Sequence, residues 1–334
     1  MPPRQNRSVG KMKVLQKAKA ARAVQKDPLK RLPMEQKARS LFRKSASKVE
    51  IVILLQCGGG TRLTMPGEWS KLREESKEKV AVVPCVDSTS AHLLDGPFRA
   101  WMEPLAACLA WGDQRTPRLL AGMIKSALGR FPSARWIFWL PNNSMPLKSW
   151  GEFEAWTVRR EGLKFPSAID WGDELFDNNK IGHQTWLGLI RKDAQSLADH
   201  FCDQGGWSEF VAQQKSLLKR ASGQEGPKCP MKAYVAEEWM PGTFLARQYL
   251  KKSAKARITS PDFNKLRKDQ GVTMDEDGFM HCYMESVSKC GYCGEDHGVF
   301  RAKQYTQGSR EYRIVVRELK KAKENLFLRK VIKY

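Results

Sequence analysis

No stretch of this 334-residue chain approaches the run of about eighteen apolar residues that a membrane-spanning helix needs. Apolar runs such as 80–84 and 136–141 have the length of buried strands. The first thirty residues lack the uninterrupted apolar core of a secretory signal. The eight cysteines are scattered apart from one cluster, so no disulfide framework is demanded and reduced thiols are the expectation. No segment repeats at a fixed period, which excludes solenoid and propeller architectures. Acidic residues are also in short supply, 36 against 58 Lys and Arg, and the formal charge of +22 needs a partner or a solvation reason.

What is present supports a large folded body. Hydrophobic residues make up 41% and aromatics 10%, with eleven Trp, enough for a buried core and against global disorder. The length suits one large α/β domain or two modest ones. Charge divides the chain unevenly. Residues 1–48 hold fifteen Lys and Arg against Asp27 and Glu35, a net +13, and the remainder carries only +9. The expected organisation is a basic arm over 1–48, extended or partly helical, followed by a folded domain over 49–334. The arm has three readings: a solvated tail, a binder of RNA or another polyanion through counterion release, or an Arg-rich matrix-targeting peptide.

From residue 49 the character changes. VEIVILLQ at 49–56 reads as a buried parallel strand feeding Cys57-Gly58-Gly59-Gly60. These glycines have neither a Walker lysine nor G-x-G-x-x-G spacing, so a tight turn competes with ligand contact. A second strand at 79–83 leads to Asp87, where open α/β sheets bind ligands. A helix is expected over 116–128, with Pro117 in its first turn and Gly129 as its stop. A third strand, 135–140, follows, and strand, helix, strand in this rhythm argues a parallel βαβ layout. Residues 150–176 read as mostly irregular. Further helices are expected over 192–201, 207–219 and 237–250, and the last third reads as basic and strand-poor, closing on 312–320 and 326–332.

Five blocks in order carry a resemblance. They are Cys85-Val86-Asp87-Ser88-Thr89-Ser90, Phe138-Trp139-Leu140-Pro141-Asn142-Asn143-Ser144-Met145-Pro146-Leu147, the segment 182–194 (GHQTWLGLIRKDA), Glu237-Glu238-Trp239-Met240-Pro241-Gly242-Thr243, and Leu326-Phe327-Leu328-Arg329-Lys330-Val331. In this order they resemble blocks of the core-2/I-branching β-1,6-N-acetylglucosaminyltransferase family, over roughly residues 50–332. The resemblance implies a GT-A-like fold: a Rossmann-type, mostly parallel sheet flanked by helices, here with a basic N-terminal extension. It implies an inverting, metal-independent transfer of a sugar, with UDP-N-acetylglucosamine as the leading donor, to a glycan or protein hydroxyl.

Such a transfer needs a base for the attacking hydroxyl and positive charge for the departing diphosphate. By resemblance Glu238 is the base, against the plain reading of Glu237-Glu238 as a solvated helix start. Lys330 matches the family's diphosphate-neutralising lysine, with Arg329 adjacent. Arg310, Arg313 and Arg317 compete for an upstream arginine, against the plain reading of a basic tail. Asp87 matches a contact to the nucleotide base. Gln184 and Trp186 offer an amide and an indole face to a sugar, or a core Trp beside a loop. Where other GT-A enzymes carry Asp-x-Asp for a metal, this chain reads Leu140-Pro141-Asn142-Asn143, and no catalytic metal or cofactor is expected.

Cys282, Cys290, Cys293 and His297 have the ingredients of a structural zinc site, with reduced thiols or one disulfide as the competing readings. The family's animal members are Golgi-anchored and disulfide-bonded, which is not expected here; a cytoplasmic or organellar location, the mitochondrial matrix included, is. If the chemistry is lost, the arm and the basic C-terminus suit an inactive scaffold that binds RNA, such as a component of an organellar ribosome.

Overall fold

The computed structural model describes residues 46–57, 63–87, 98, 103–105, 116–176, 180–222, 239–253, 256–271, 280–281, 284–287, 299–323, 325–329 and 331–332. By internal contacts the chain divides into Met1–Lys44 and Ser45–Tyr334, and all described residues belong to the second unit.

Strand β1 (Ile51–Cys57) is buried at every position except the half-buried Gln56. A run of Ile, Val and Leu that excludes water from both faces belongs in the middle of a parallel sheet. There it pairs in parallel with β2 (Val80–Asp87) on one side and β4 (Trp136–Pro141) on the other, Ile51 lying opposite both Val80 and Trp136. A short β3 (Glu103–Leu105) extends the β2 side in parallel. On the β4 side come β7 (Lys180–Ile190) and then β6 (Ala168–Phe176), each antiparallel to its neighbour. The order is therefore β3-β2-β1-β4-β7-β6, with β7 alone reversed. The expected mostly parallel sheet flanked by helices is the observed one.

Helices fill the connections. α1 (Pro66–Glu75) starts with Pro near its first turn and buries Trp69 and Leu72. α2 (Thr116–Arg130) buries Leu120, Ile124, Ala127 and Leu128, the three-and-four spacing of one apolar face. It runs past Gly129, which does not stop it. α4 (Arg191–Cys202) packs on α2 and on β7, and α5 (Gln204–Ser222) packs on α4. α6 (Met240–Tyr249), with Pro241 in its first turn, packs on β7.

Residues 150–176 are not irregular. Ser149 opens α3 (Trp150–Glu161), and the Glu152 carboxylate accepts from Ser149 N at 3.0 Å and Ser149 Oγ at 2.7 Å. This is half of a capping box, and the bonds hold the Glu152 carboxyl below its usual range. Beyond α3 the chain enters β6, so the three tryptophans of this stretch lie in regular structure, Trp150 and Trp156 on the helix and Trp171 on the strand. α7 (Ser260–Gln270), not foreseen, begins at Thr259, whose Oγ1 accepts from Asp262 N. It ends at Gly271, φ +69°, in the left-handed region that glycine occupies without strain.

The last third also holds more strand than its composition suggested. β8 (Met280–His281), β9 (Met284–Val287), β10 (Val299–Ala302), β11 (Tyr305–Thr306), β12 (Phe327–Leu328) and β13 (Val331–Ile332) are all short, with α8 (Arg310–Lys321) between β11 and β12. Their placement matters more than their length. β12 pairs antiparallel with β5 (Met145–Pro146) and parallel with β8, while β13 pairs with β11. Phe327 is fully buried, its ring 5.7 Å from Phe138, 5.6 Å from Phe153 and 5.9 Å from Trp69. Burying one such side chain contributes roughly 1.5–3 kcal/mol. The closing segment is therefore anchored in the main core.

Candidate functional site

In a sheet of order 3-2-1-4, connections leave β1 to one side and arrive at β4 on the other, and the crevice at the carboxyl ends of those two strands is where such sheets bind ligands. β4 ends at Pro141, and the turn after it is held across the crevice: Asn142 N donates to Gln56 O at 3.1 Å, and Ser144 N to Pro141 O at 3.1 Å. Thr64 N, from the connection after β1, reaches Asn142 O at 3.5 Å.

The closing segment is laid along this turn. Leu147 N donates to Leu326 O at 2.8 Å, Leu328 lies opposite Met145, and Val331 N donates to Asn143 O at 3.1 Å. Between those points the backbone has no freedom to leave, so Arg329 is held beside Asn143 and Ser144. Lys330 follows it directly and itself lies outside the described residues.

Arg329 is half-buried, and its guanidinium sits 4.8 Å from the centroid of the Trp186 ring. A guanidinium over an indole face gains roughly 0.5–2 kcal/mol, the more so when shielded from water. Trp186 is there because β7 runs antiparallel to β4. With Leu187 opposite Trp139, the residues before Leu187 fall at the carboxyl end of β4. The indole is 2% exposed and its Nε1 donates to Asp170 Oδ2 on β6, which fixes the ring plane on which Arg329 rests. The stack therefore depends on two strands, β6 and β7, and on the link between β12 and β13.

Two atoms at this place lack what burial normally demands. Arg329 Nε, a donor, and Asn143 Oδ1, an acceptor, are both buried without a hydrogen-bond partner. Arg329 also forms no ion pair with any described carboxylate. Nine buried side-chain polar atoms among the described residues lack a hydrogen-bond partner, and these two, a donor and an acceptor beside one turn, leave hydrogen-bonding capacity that a polar ligand can fill. Such a ligand would be an anion carrying hydroxyl or amide groups. The unpartnered groups are a guanidinium N–H and an amide oxygen, the indole N–H being taken by Asp170, and Asn142-Asn143 offers no carboxylate pair to hold a cation. Among the described residues no group of three or more His, Cys, Asp or Glu could hold a metal ion.

Asp87 is the last residue of β2 and pairs with Leu105, at the same edge of the sheet as Asn142. Gln184 lies on β7 two residues before Trp186, placed by its backbone alone. Cys57, at the carboxyl end of β1, is no nucleophile: burial pushes its thiol up to about 12, so it stays protonated at neutral pH. Glu238 lies outside the described residues, directly before the buried Trp239 that opens α6. Arg313 and Arg317 are exposed on α8, whose opposite face, with Tyr312, Val315, Val316 and Leu319, meets the core. Cys282, Cys290, Cys293 and His297 lie outside the described residues. The strands on either side of 288–298, β9 and β10, pair with each other, Val287 opposite Val299.

Sequence reasoning missed two members of this group. Asn143 registered only as the absence of a carboxylate, although its position immediately after a parallel strand was the available signal. Asp170 belongs to the acidic stretch Asp170-Trp171-Gly172-Asp173-Glu174, and nothing local in the sequence ties it to the Trp186 indole. No family model matches the chain, and no curated protein matches it either.

Proposed function

We propose that the chain is an inverting, metal-independent glycosyltransferase that binds a nucleotide diphospho-sugar in the crevice between β1 and β4, with UDP-N-acetylglucosamine as the leading donor. One observation carries the reading. Among the described residues, the guanidinium of Arg329 is stacked on an indole at the carboxyl edge of β4, has no described carboxylate as an ion-pair partner, and stands beside the turn that holds the unpartnered Asn143 amide oxygen. A cation in that state favours a diphosphate, to which arginine donates two parallel hydrogen bonds. The five sequence blocks that resemble the core-2/I-branching family supply the remaining roles.

In this reading Glu238 takes the proton from the acceptor hydroxyl as its oxygen attacks the anomeric carbon. The bond from that carbon to the diphosphate oxygen breaks on the opposite face, which inverts the configuration. The negative charge that grows on the leaving nucleoside diphosphate is met by Arg329 and Lys330. Asp87 contacts the nucleotide base, and Gln184 contributes an amide to the sugar. The Trp186 ring holds the guanidinium in place, and Asn143 Oδ1 accepts from a donor hydroxyl. No step requires a divalent cation, because the two side chains do the work of charge neutralisation.

The test is Glu238→Gln, titrated with UDP and assayed with UDP-N-acetylglucosamine. Loss of a general base lowers turnover by roughly 10²–10⁴-fold, while UDP affinity stays at the wild-type value. Full turnover in the variant would remove Glu238 from the mechanism. A wild-type chain with no measurable affinity for UDP or its sugars would overturn the whole reading.

A further inference from the structure

Helix α8 is built as two faces with different chemistry. Tyr312, Val315, Val316 and Leu319 turn inward, Leu319 being buried and the other three packed against the core. Arg310, Arg313, Arg317, Lys320 and Lys321 recur at spacings of three and four and are all exposed. At 3.6 residues per turn that spacing aligns them along the side of the helix away from the core, over about 16 Å. The helix's two carboxylates do not interrupt the stripe. Glu311 is engaged by Lys303 from outside the helix. Glu318 is shared by Arg317 at 3.2 Å and Lys321 at 3.0 Å, both pairs well exposed and therefore weak. Arg310 and Arg313 have no ion pair with any described residue.

We propose that this face of α8 is a docking surface for double-stranded RNA, gripping the phosphate backbone. The inference is independent of sugar transfer and of the arm at 1–48. Charge complementarity carries it. Five cations in a line of about 16 Å match the closely spaced phosphates along one strand of a duplex. Three of the five are arginines, whose planar fork bonds phosphate oxygens two at a time. The stripe has no exposed aromatic on which unpaired bases would stack, and no Asn or Gln that would read base edges. A base-blind phosphate surface suits the A-form duplex, which proteins recognise by shape and backbone. An anionic membrane is the poorer fit. The helix spends its apolar face on the core, leaving only Ile314, 42% exposed, to insert.

The experiment measures the affinity of the full chain for an RNA duplex of about 16 base pairs as a function of salt. It compares the wild type with Arg310→Gln/Arg313→Gln/Arg317→Gln and with the matching triple lysine variant. The arm is common to all three proteins, so the difference isolates the helix. Each lost phosphate contact removes about 0.9 from the slope of log K against log salt, so the glutamine variant should lose about 2 to 3. The lysine variant keeps the wild-type slope within about 1. An unchanged slope in the glutamine variant overturns the proposal. An equal fall in the lysine variant overturns it too, since charge would then not be the cause. A DNA duplex of the same sequence bound as tightly, with the same decrement, overturns the assignment to RNA. Binding to phosphatidylserine vesicles that alone responds to the substitutions assigns the face to membranes instead.

Discussion

Replacing Arg329 by glutamine removes a guanidinium that β6, β7 and the link between β12 and β13 together hold in position, and the loss can be sized from its surroundings. A hydrogen bond to a charged partner contributes roughly 1.5–3 kcal/mol. If Arg329 meets the diphosphate, the variant should therefore bind UDP about 10- to 150-fold more weakly. The cost to folding runs smaller. Losing the contact over the Trp186 ring, 4.8 Å from its centroid, costs roughly 0.5–2 kcal/mol, and part of that returns because the unpartnered buried Nε disappears with the side chain. Binding should thus fall far more than stability. Arg329→Lys separates charge from geometry: it keeps the point charge but loses the fork and the flat face that lies on the indole, so its affinity should fall between the two. Calorimetric titration with UDP, read beside urea denaturation of the same three proteins, makes the comparison. Equal UDP affinity in wild type and Arg329→Gln would refute the phosphate role. Arg329 would then be a stacking residue that closes the edge of the core.

Two further outcomes follow from the packing. His200 is stacked on Phe244 at 4.3 Å and met edge-on by Phe201 and Phe210, and burial lowers its pKa despite Glu209 and Asp203 nearby. The unfolded chain therefore takes the proton first: the contribution of His200 is full above its ordinary value of 6.5 and is lost as pH falls below it towards the folded value, and His200→Phe should flatten the stability profile over that window, as denaturation at a series of pH values would show. Gly188 on β7 lies opposite Phe138, and a Cβ there would come within 2.7 Å of the Phe138 ring, so Gly188→Ala should lower unfolding free energy by about 1–3 kcal/mol in urea; a change below about 0.5 kcal/mol would show that the ring moves aside freely.

The parts of the fold legible in the sequence were those carried by local pattern. The run at 51–55 reads as a doubly buried strand, because five apolar residues follow one another there with no polar residue between Glu50 and Gln56. The helix expected over 237–250 is present as α6, which begins at Met240 with Pro241 in its first turn, and the helix at 191–202 shows one apolar face at helical spacing. Residues 150–176 defeated the same method. Trp150, Trp156 and Trp171 look alike in sequence, but the first two sit on a helix started by the Ser149 and Glu152 cap and the third on a strand. Gly129 also misled, since an isolated glycine in a helix costs only about 1 kcal/mol and α2 absorbs it to reach Arg130. The six short strands from residue 280 onward carry no period, because runs of two to four residues are too short to show an alternation.

The site divides along a similar line. Residue types alone specified a basic, aromatic-rich chain with a parallel sheet, and they supplied Asp87 at the end of a strand and cations near the C-terminus. They did not say which cation faces the sheet edge. Arg313, Arg317 and Arg329 are chemically equivalent in a list, and only the tertiary structure separates them. Phe327 buries itself against Phe138 and Phe153, β12 pairs with β5, and Val331 bonds to Asn143, so Arg329 is carried onto Trp186 while the α8 arginines are turned to solvent. That outcome depends on contacts between residues some 180 positions apart in the chain, such as Asn143 and Val331. Local propensity has no access to such pairs; the burial of apolar surface, which brings the ends of the chain to one core, decides them.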